Sequence, residues 1–372
     1  MSSSPKPTPH RIDAARLPRL RSAAQLLHRP ADMRHPADVA RAICGAQAQD
    51  LHAGRLAFRA RSRRLSAADV DRARNEERSL LRTWAMRGTM HLVATDDAGW
   101  LVPLFEDAMA QNARRRLSQL GMDNPTRDRG LREIERALSA DGPMARSALT
   151  ERLRDKRVEL DSGTRLHLFS LAVATGMACL GPDRGNQTSL VLARDWIGER
   201  PRHERDKALA ELARRYLRAF GPATEADLAG WAGLGVREVR AALAAIGEEL
   251  TEVAVAGQRA WMPKRAARRP RGRYVRLLPA WDTYLMGYRD RGFVAQPAHW
   301  RRIMPGGGIL HPTIVVDGVA VGTWRGRRDR GSIRIEPELF SKVDGVVCEA
   351  IDAEIADVLR FEAATESRAS PA

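Results

Sequence analysis

Two glutamines one residue apart, Gln47 and Gln49 in AICGAQAQDLHAG, sit just after an apolar helical run in a chain whose charged positions are dominated by arginine. An amide oxygen can orient a water molecule and face positive charge that develops nearby, although it is a far weaker base than a carboxylate. The same two side chains could instead satisfy backbone groups at a helix junction. Asp50 follows directly and would point away from Gln49; it reads as the N-cap of a helix over LHAGRLAFRA rather than as a base. Other sources of chemistry are sparse. Cys44, Cys179 and Cys348 are odd in number and far apart, and the nine histidines have no zinc-like spacing, so no disulfide framework, metal or cofactor is expected.

Charge points to the partner. Lysine and arginine number 62 against 46 aspartates and glutamates, a net +16, and only five of the 62 are lysines. A planar guanidinium binds phosphate and base edges through two parallel hydrogen bonds, so the excess points to a polyanion, with nucleic acid first. A coding bias toward Arg, Ala and Gly accounts for individual arginines but not for the net excess. The N-terminus MSSSPKPTPHR has no apolar signal region, and no apolar run approaches the roughly 18 residues of a membrane span. A cytoplasmic, nucleoid-associated protein is expected.

The elements that must position the glutamines follow from an internal echo. LSADGPMARSALTERL (138–153) and LRAFGPATEADLAGWAGL (217–234) share a helix, a Gly-Pro stop and a second helix. Thr224 and Asp227 have capping-box spacing. Each copy is followed by an apolar helix and a strand–turn–strand; in the second, GVREVRAALAAIG puts Val236, Val239, Leu243 and Ile246 on one face. That order is a winged helix. A third copy is expected upstream, with SLLRTWAMRGTMHLVA as strands around Gly88. The expected class is α+β: a disordered terminus (1–11), winged helices over 12–122, 123–200 and 201–270, a small C-terminal β-domain over 271–362 and a disordered tail (363–372). On the helix after Gly235, Arg237 and Arg240 are the natural DNA contacts, or else solvated surface charges.

Four stretches in order, GAQAQD (45–50), LRTWAMRGTMHLV (81–93), LLPAWDTYLMGYRDR (277–291) and GGGILHPTIVVDGVAVGTWR (306–325), resemble the AlkZ/YcaQ family of bacterial DNA glycosylases across about residues 15 to 360. The resemblance implies three tandem winged helices and a C-terminal β-barrel arranged around duplex DNA, with a monomeric enzyme excising purines alkylated at N7 or N3, bulky adducts or interstrand crosslinks. In it the catalytic pattern is a Gln, an apolar residue and a second Gln, which falls on Gln47, Ala48 and Gln49. Such lesions are cationic and leave readily, so two amides suffice to place water beside an oxocarbenium-like transition state. No lysine lies in any of the four stretches, which argues against a Schiff-base step and for a monofunctional hydrolase. Arg87, Thr89 and His91 serve the site or the DNA backbone, with His91 behind the site or on DNA. Asp282, Arg289, Asp290 and Arg291 tie the β-domain to the helices through ion pairs, with DNA contact as the alternative. The loop of Gly306, Gly307 and Gly308 lets backbone approach a ligand; the resemblance places it, with His311, near the minor groove. A competing reading is a non-catalytic winged-helix regulator or architectural protein, which would bind undamaged sites as a dimer.

Overall fold

The computed structural model describes residues 10–184, 187–265, 272–329 and 332–366. The fold is mixed α+β, and its contacts divide it into two compact units, one of residues 69–208 and one that joins residues 1–68 to 209–372. The first winged helix expected over 12–122 therefore contributes to both units.

In the unit of residues 69–208, helices Pro103–Gln119, Asn124–Asp141, Arg146–Asp155 and Ser162–Ala174 enclose a core of Leu117, Ile134, Leu138, Leu149 and Leu168. Ile134 and Leu138 lie four residues apart, one helical turn, and so share a face. Two of these helices begin at aspartate caps: Asp123 accepts from the Thr126 N–H at 2.8 Å and Asp161 from the Thr164 N–H at 2.7 Å. Strand Met144–Ala145 lies beside Gln187–Leu192, which in turn pairs antiparallel with Ala178–Arg184. The order is helix, short strand, helix, helix, hairpin. A separate antiparallel hairpin pairs Leu80–Trp84 with Met90–Ala94.

The other unit repeats the theme. Helices Arg205–Phe220, Glu225–Ala232 and Val236–Ala245 lead into the hairpin Leu250–Val255 and Gln258–Pro263. Thr224 and Asp227 close a reciprocal capping box, at 3.1 and 3.0 Å. Val239, Leu243 and Ile246 are buried, but Val236, expected on the same apolar face, is 44% exposed because the first turn of its helix projects past the core. Residues 10 and 11, expected to be disordered, belong to strand His10–Ile12, which pairs parallel with Leu250–Val255. Residues 1–9 lie outside the described residues.

The C-terminal β-region differs from the expected barrel. Val275–Leu278, Thr313–Val316, Val319–Asp329 and Ser332–Leu339 form one antiparallel sheet in sequence order, and among the described residues the last strand does not return to the first. Four strands are too few to wrap a filled interior. The first edge is covered instead by helix Gly345–Glu366, which packs on Val275–Leu278. That helix also takes in residues 363–366, expected as tail; the rest of the tail lies outside the described residues.

Candidate active site

Gln47 and Gln49 are set by the way the preceding helix ends. Helix Pro36–Ile43 stops at Cys44 and Gly45, both left-handed with φ of 58° and 89°. The Gly45 N–H returns to the Ala40 carbonyl at 2.8 Å and the Cys44 N–H to Arg41 at 3.4 Å, a paired C-cap that reverses the chain. A short strand, Ala46–Gln47, follows. Gln47 is buried at 7% exposure and Ala48 is fully buried, whereas Gln49 is exposed, so the pair divides into one buried and one exposed amide. Asp50 caps helix Leu51–Arg59 by accepting from the Ala53 N–H at 2.7 Å. Its carboxylate is engaged with a helix N-terminus. Gly54, on the next turn, lies under the glutamines: a Cβ there would fall 2.9 Å from the Ala48 Cβ and 3.5 Å from the Gln47 carbonyl oxygen.

Helix Leu51–Arg59 is fixed by buried arginines. Arg61, fully buried, forms a two-pronged pair with Asp282 at 2.8 and 2.9 Å and also donates to Gln25 and Thr283. Arg59 reaches Glu354 at 2.8 Å, Asp357 at 3.2 Å and the Leu277 carbonyl. Charged and hydrogen-bonded on several sides, these guanidinia tie the helix after the glutamines to the C-terminal sheet and helix. The expected ion-pair role of Asp282 is thus seen directly. Between these elements a cavity of about 240 Å³ opens one residue beyond Gln49, walled by Leu56, Trp281, Pro312, Trp324, Ile333 and Ile335, with Asp50 and His52 at its edge. The Trp281 indole N–H donates to the Gly308 carbonyl at 2.8 Å. Gly306, Gly307 and Gly308 all have positive φ, and a Cβ at any of them would meet nothing within 4 Å. Backbone conformation, not crowding, requires glycine there. His311, half-buried, closes the loop by donating its N–H to Ile303 at 2.9 Å.

Comparison with known proteins identifies the family. The family described as "DNA glycosylase AlkZ-like" matches residues 40–361. The chain belongs to the AlkZ-like DNA glycosylases. It is 30% identical over 354 residues to an "Interstrand DNA cross-link repair glycosylase" of Streptomyces sahachiroi, covering 87% of this chain and 90% of that one. The solved structure of the Streptomyces sahachiroi DNA glycosylase AlkZ superimposes with a TM-score of 0.77 at 27% identity, over 94% of this chain and 97% of that one. The protein is therefore an N-glycosylase acting on DNA, and the non-catalytic regulator is set aside.

The remaining expected residues of this AlkZ-like glycosylase are distributed as follows. In the unit of residues 69–208, Arg87 and Gly88 are both left-handed at the tip of the Leu80–Trp84/Met90–Ala94 hairpin, and Thr89 donates its hydroxyl to the Met86 carbonyl at 3.0 Å. His91 is 1% exposed and its Nδ1 lies 2.9 Å from the Thr89 carbonyl, which can only accept, so that nitrogen carries the proton. Burial, with a smaller push from the Arg87 charge, lowers its pKa to about 3. A neutral, sealed ring is out of reach of DNA in this conformation. In the other unit, Arg237 is exposed, while Arg240 pairs with Glu225 at 2.8 Å. Arg289 is exposed and its backbone N–H donates to Asp227 at 2.9 Å. Arg291 is half-buried, donates to the Tyr288 carbonyl at 3.2 Å, and burial lowers its pKa. Sequence reading missed Gly54, Arg59, Arg61 and Trp281. Only Gly54 left a trace, as a glycine inside a helical stretch where it is otherwise unfavourable.

Proposed function

We propose that this glycosylase hydrolyses the N-glycosidic bond of purines alkylated at N7 or N3 in double-stranded DNA, including bulky adducts and interstrand crosslinks. It acts as a cytoplasmic, nucleoid-associated monomer without metal or cofactor. Gln47 and Gln49 are its catalytic pair: their amide oxygens orient the attacking water and face the oxocarbenium-like sugar. The observation that carries this reading is the pair itself, one amide buried and one exposed on the turn between two helices, beside a carboxylate already engaged as a helix cap. Without a strong base, the enzyme depends on a leaving group that is already cationic. The two runs of helices ending in a hairpin support tandem winged helices as the DNA-binding frame, with a third formed by the N-terminal helices. The open apolar cavity beyond Gln49 supports bulky substrates, since a lesion need not be enclosed in a tight pocket. The crosslink-repair name of the Streptomyces sahachiroi relative points the same way.

The test is incubation with duplex DNA carrying N7-methylguanine, then alkaline cleavage at abasic sites, beside the Gln47→Ala/Gln49→Ala variant. Strand breaks from the wild type that vanish in the folded variant are expected. Undiminished breaks in the variant would place the chemistry elsewhere. A crosslinked duplex in the same assay reads out the bulky class.

A further inference from the structure

The unit of residues 69–208 contains a second cavity, of about 220 Å³, that the proposed chemistry does not use. Its lining is largely apolar, with Trp84, Phe169 and Leu166, the last 51% exposed. Two arginines line it, Arg146 and Arg165, both half-buried. Among the described residues neither guanidinium makes an ion pair, and the Arg146 Nε is buried without a hydrogen-bond partner. The nearby Asp161 carboxylate is already held by the Thr164 N–H and hydroxyl, both at 2.7 Å. Burial and the charge of Arg165 both push the Arg146 pKa down, so the two cations oppose each other.

Such an arrangement opposes folding. A half-buried charge is costly unless it is paired, and a like charge beside it raises the cost. The contrast with the other buried arginines, Arg59, Arg61 and Arg74, is sharp, because each of those meets a carboxylate. Two helices of 10 and 13 residues also begin at this cavity, at Arg146 and Ser162, and add the partial positive charge of their N-termini. Against these stands one carboxylate, Asp161, which caps the Ser162 helix and feels the Arg165 charge, so the balance of two guanidinia over one carboxylate favours an anion. The volume is below the roughly 300–1,000 Å³ of pockets that enclose drug-sized ligands, which fits a phosphate and a sugar edge better than a larger molecule.

We propose that Arg146 and Arg165 hold one backbone phosphate of the DNA, with the adjoining deoxyribose against Leu166 and Trp84. This rests on the reading of the chain as an enzyme of duplex DNA, and it gives that enzyme a grip separate from the glutamine pair. The phosphate supplies a counter-charge to Arg146, whose Nε is buried without a hydrogen-bond partner, and adds to the one Asp161 offers Arg165.

The test is binding of an undamaged, fluorescent duplex across a salt series, with wild type, Arg146→Gln/Arg165→Gln, and Leu166→Ser, together with thermal melts of each. Each phosphate contact contributes about 0.9 to the slope of log affinity against log salt. The double variant is expected to lose about that much slope and about tenfold in affinity at low salt, and to melt no lower than wild type, since an unanswered repulsion is removed. Leu166→Ser is expected to weaken binding with the slope unchanged. An unchanged slope in the folded double variant would overturn the phosphate site, and a clear fall in its melting temperature would show that the arginine stems serve packing instead. A wild-type chain that bound no duplex would overturn both this site and the duplex-DNA reading it rests on, whereas intact duplex binding without N7-methylguanine release would strike only at the proposed N7-methylguanine substrate.

Discussion

Replacing Gly54 by alanine should damage catalysis while leaving the fold intact. The added methyl would lie 2.9 Å from the Ala48 Cβ and 3.2 Å from its Cα. Carbon atoms in contact prefer about 3.5–4.0 Å, so the segment carrying the glutamines must withdraw by roughly 0.6 to 1 Å. Misplacement of about 1 Å in a catalytic constellation can cost on the order of 10²-fold in rate, equivalent to about 2.7 kcal/mol of transition-state stabilisation. The helix itself gains, because alanine is favoured over glycine by about 1 kcal/mol in a helix interior. Single-turnover excision of N7-methylguanine, with a thermal melt of the same preparation, separates the two effects. The expected result is a rate lowered by about 10- to 100-fold with a melting temperature close to wild type. The pair Ala48→Gly/Gly54→Ala moves the methyl from one side of the contact to the other and should recover part of the rate, limited by the 3.2 Å left to the Cα. A Gly54→Ala enzyme that is folded and within twofold of wild type would refute the claim that this contact sets the position of Gln47 and Gln49.

Three further outcomes follow from the same structure. His91 is held neutral with its pKa lowered to about 3, so its contribution to stability is complete above its ordinary value near 6.5 and is lost as pH falls toward 3. Urea titrations from pH 7 to pH 4 should show wild type losing up to about 1.4 kcal/mol more per pH unit than His91→Gln, and equal slopes would contradict a buried neutral ring. Asp282→Asn leaves the Arg61 guanidinium without its counter-charge at a site of no exposure and should cost about 3–5 kcal/mol in urea unfolding; Arg61→Met/Asp282→Leu should cost less than the sum of the single changes. Ile335→Glu places a charge in the apolar cavity beyond Gln49 and should slow release of a bulky or crosslinked adduct about tenfold more than release of N7-methylguanine; equal effects on the two would show that the adduct does not enter there.

Local chemistry was legible in the sequence, and distant pairing was not. The Thr224–Asp227 box and the Asp50 cap depend on residues three apart, and their spacing alone announces them. The glutamine pair is conspicuous by type in an arginine-rich chain, although its division into a buried and an exposed amide depends on the turn at Cys44 and Gly45. The pairing of His10–Ile12 with Leu250–Val255 joins a three-residue strand to one more than 230 positions away, and nothing in HRI marks it. An open sheet and a barrel have the same alternation of residues within each strand; they differ in where the last strand ends, which periodicity does not encode. The cavity beside Gln49 likewise draws on residues near 50, 280, 312, 324, 335 and 358, a set that only tertiary structure assembles.

Arginine abundance hid the most consequential side chains. A sequence with a net charge of +16 invites every arginine to be read as surface, yet Arg59 and Arg61 have side-chain exposures of 1% and 0%. Lysine could not replace them, because each guanidinium meets several acceptors at once, from carboxylate, carbonyl and amide groups on separate segments. A fork with five donors can bolt a helix to a sheet, with those donors committed to that joint. That division matters for the chemistry. A cation beside Gln49 would oppose the positive charge that develops on the sugar, and a free carboxylate there would widen the enzyme's reach to neutral bases. In the proposed chemistry Asp50 is engaged as a cap and the two inner arginines are turned to Asp282 and Glu354, so the Gln47–Gln49 segment itself would offer the sugar two neutral amides. On that proposal, selectivity for lesions that already carry their own positive charge follows from how weak two amides are as bases.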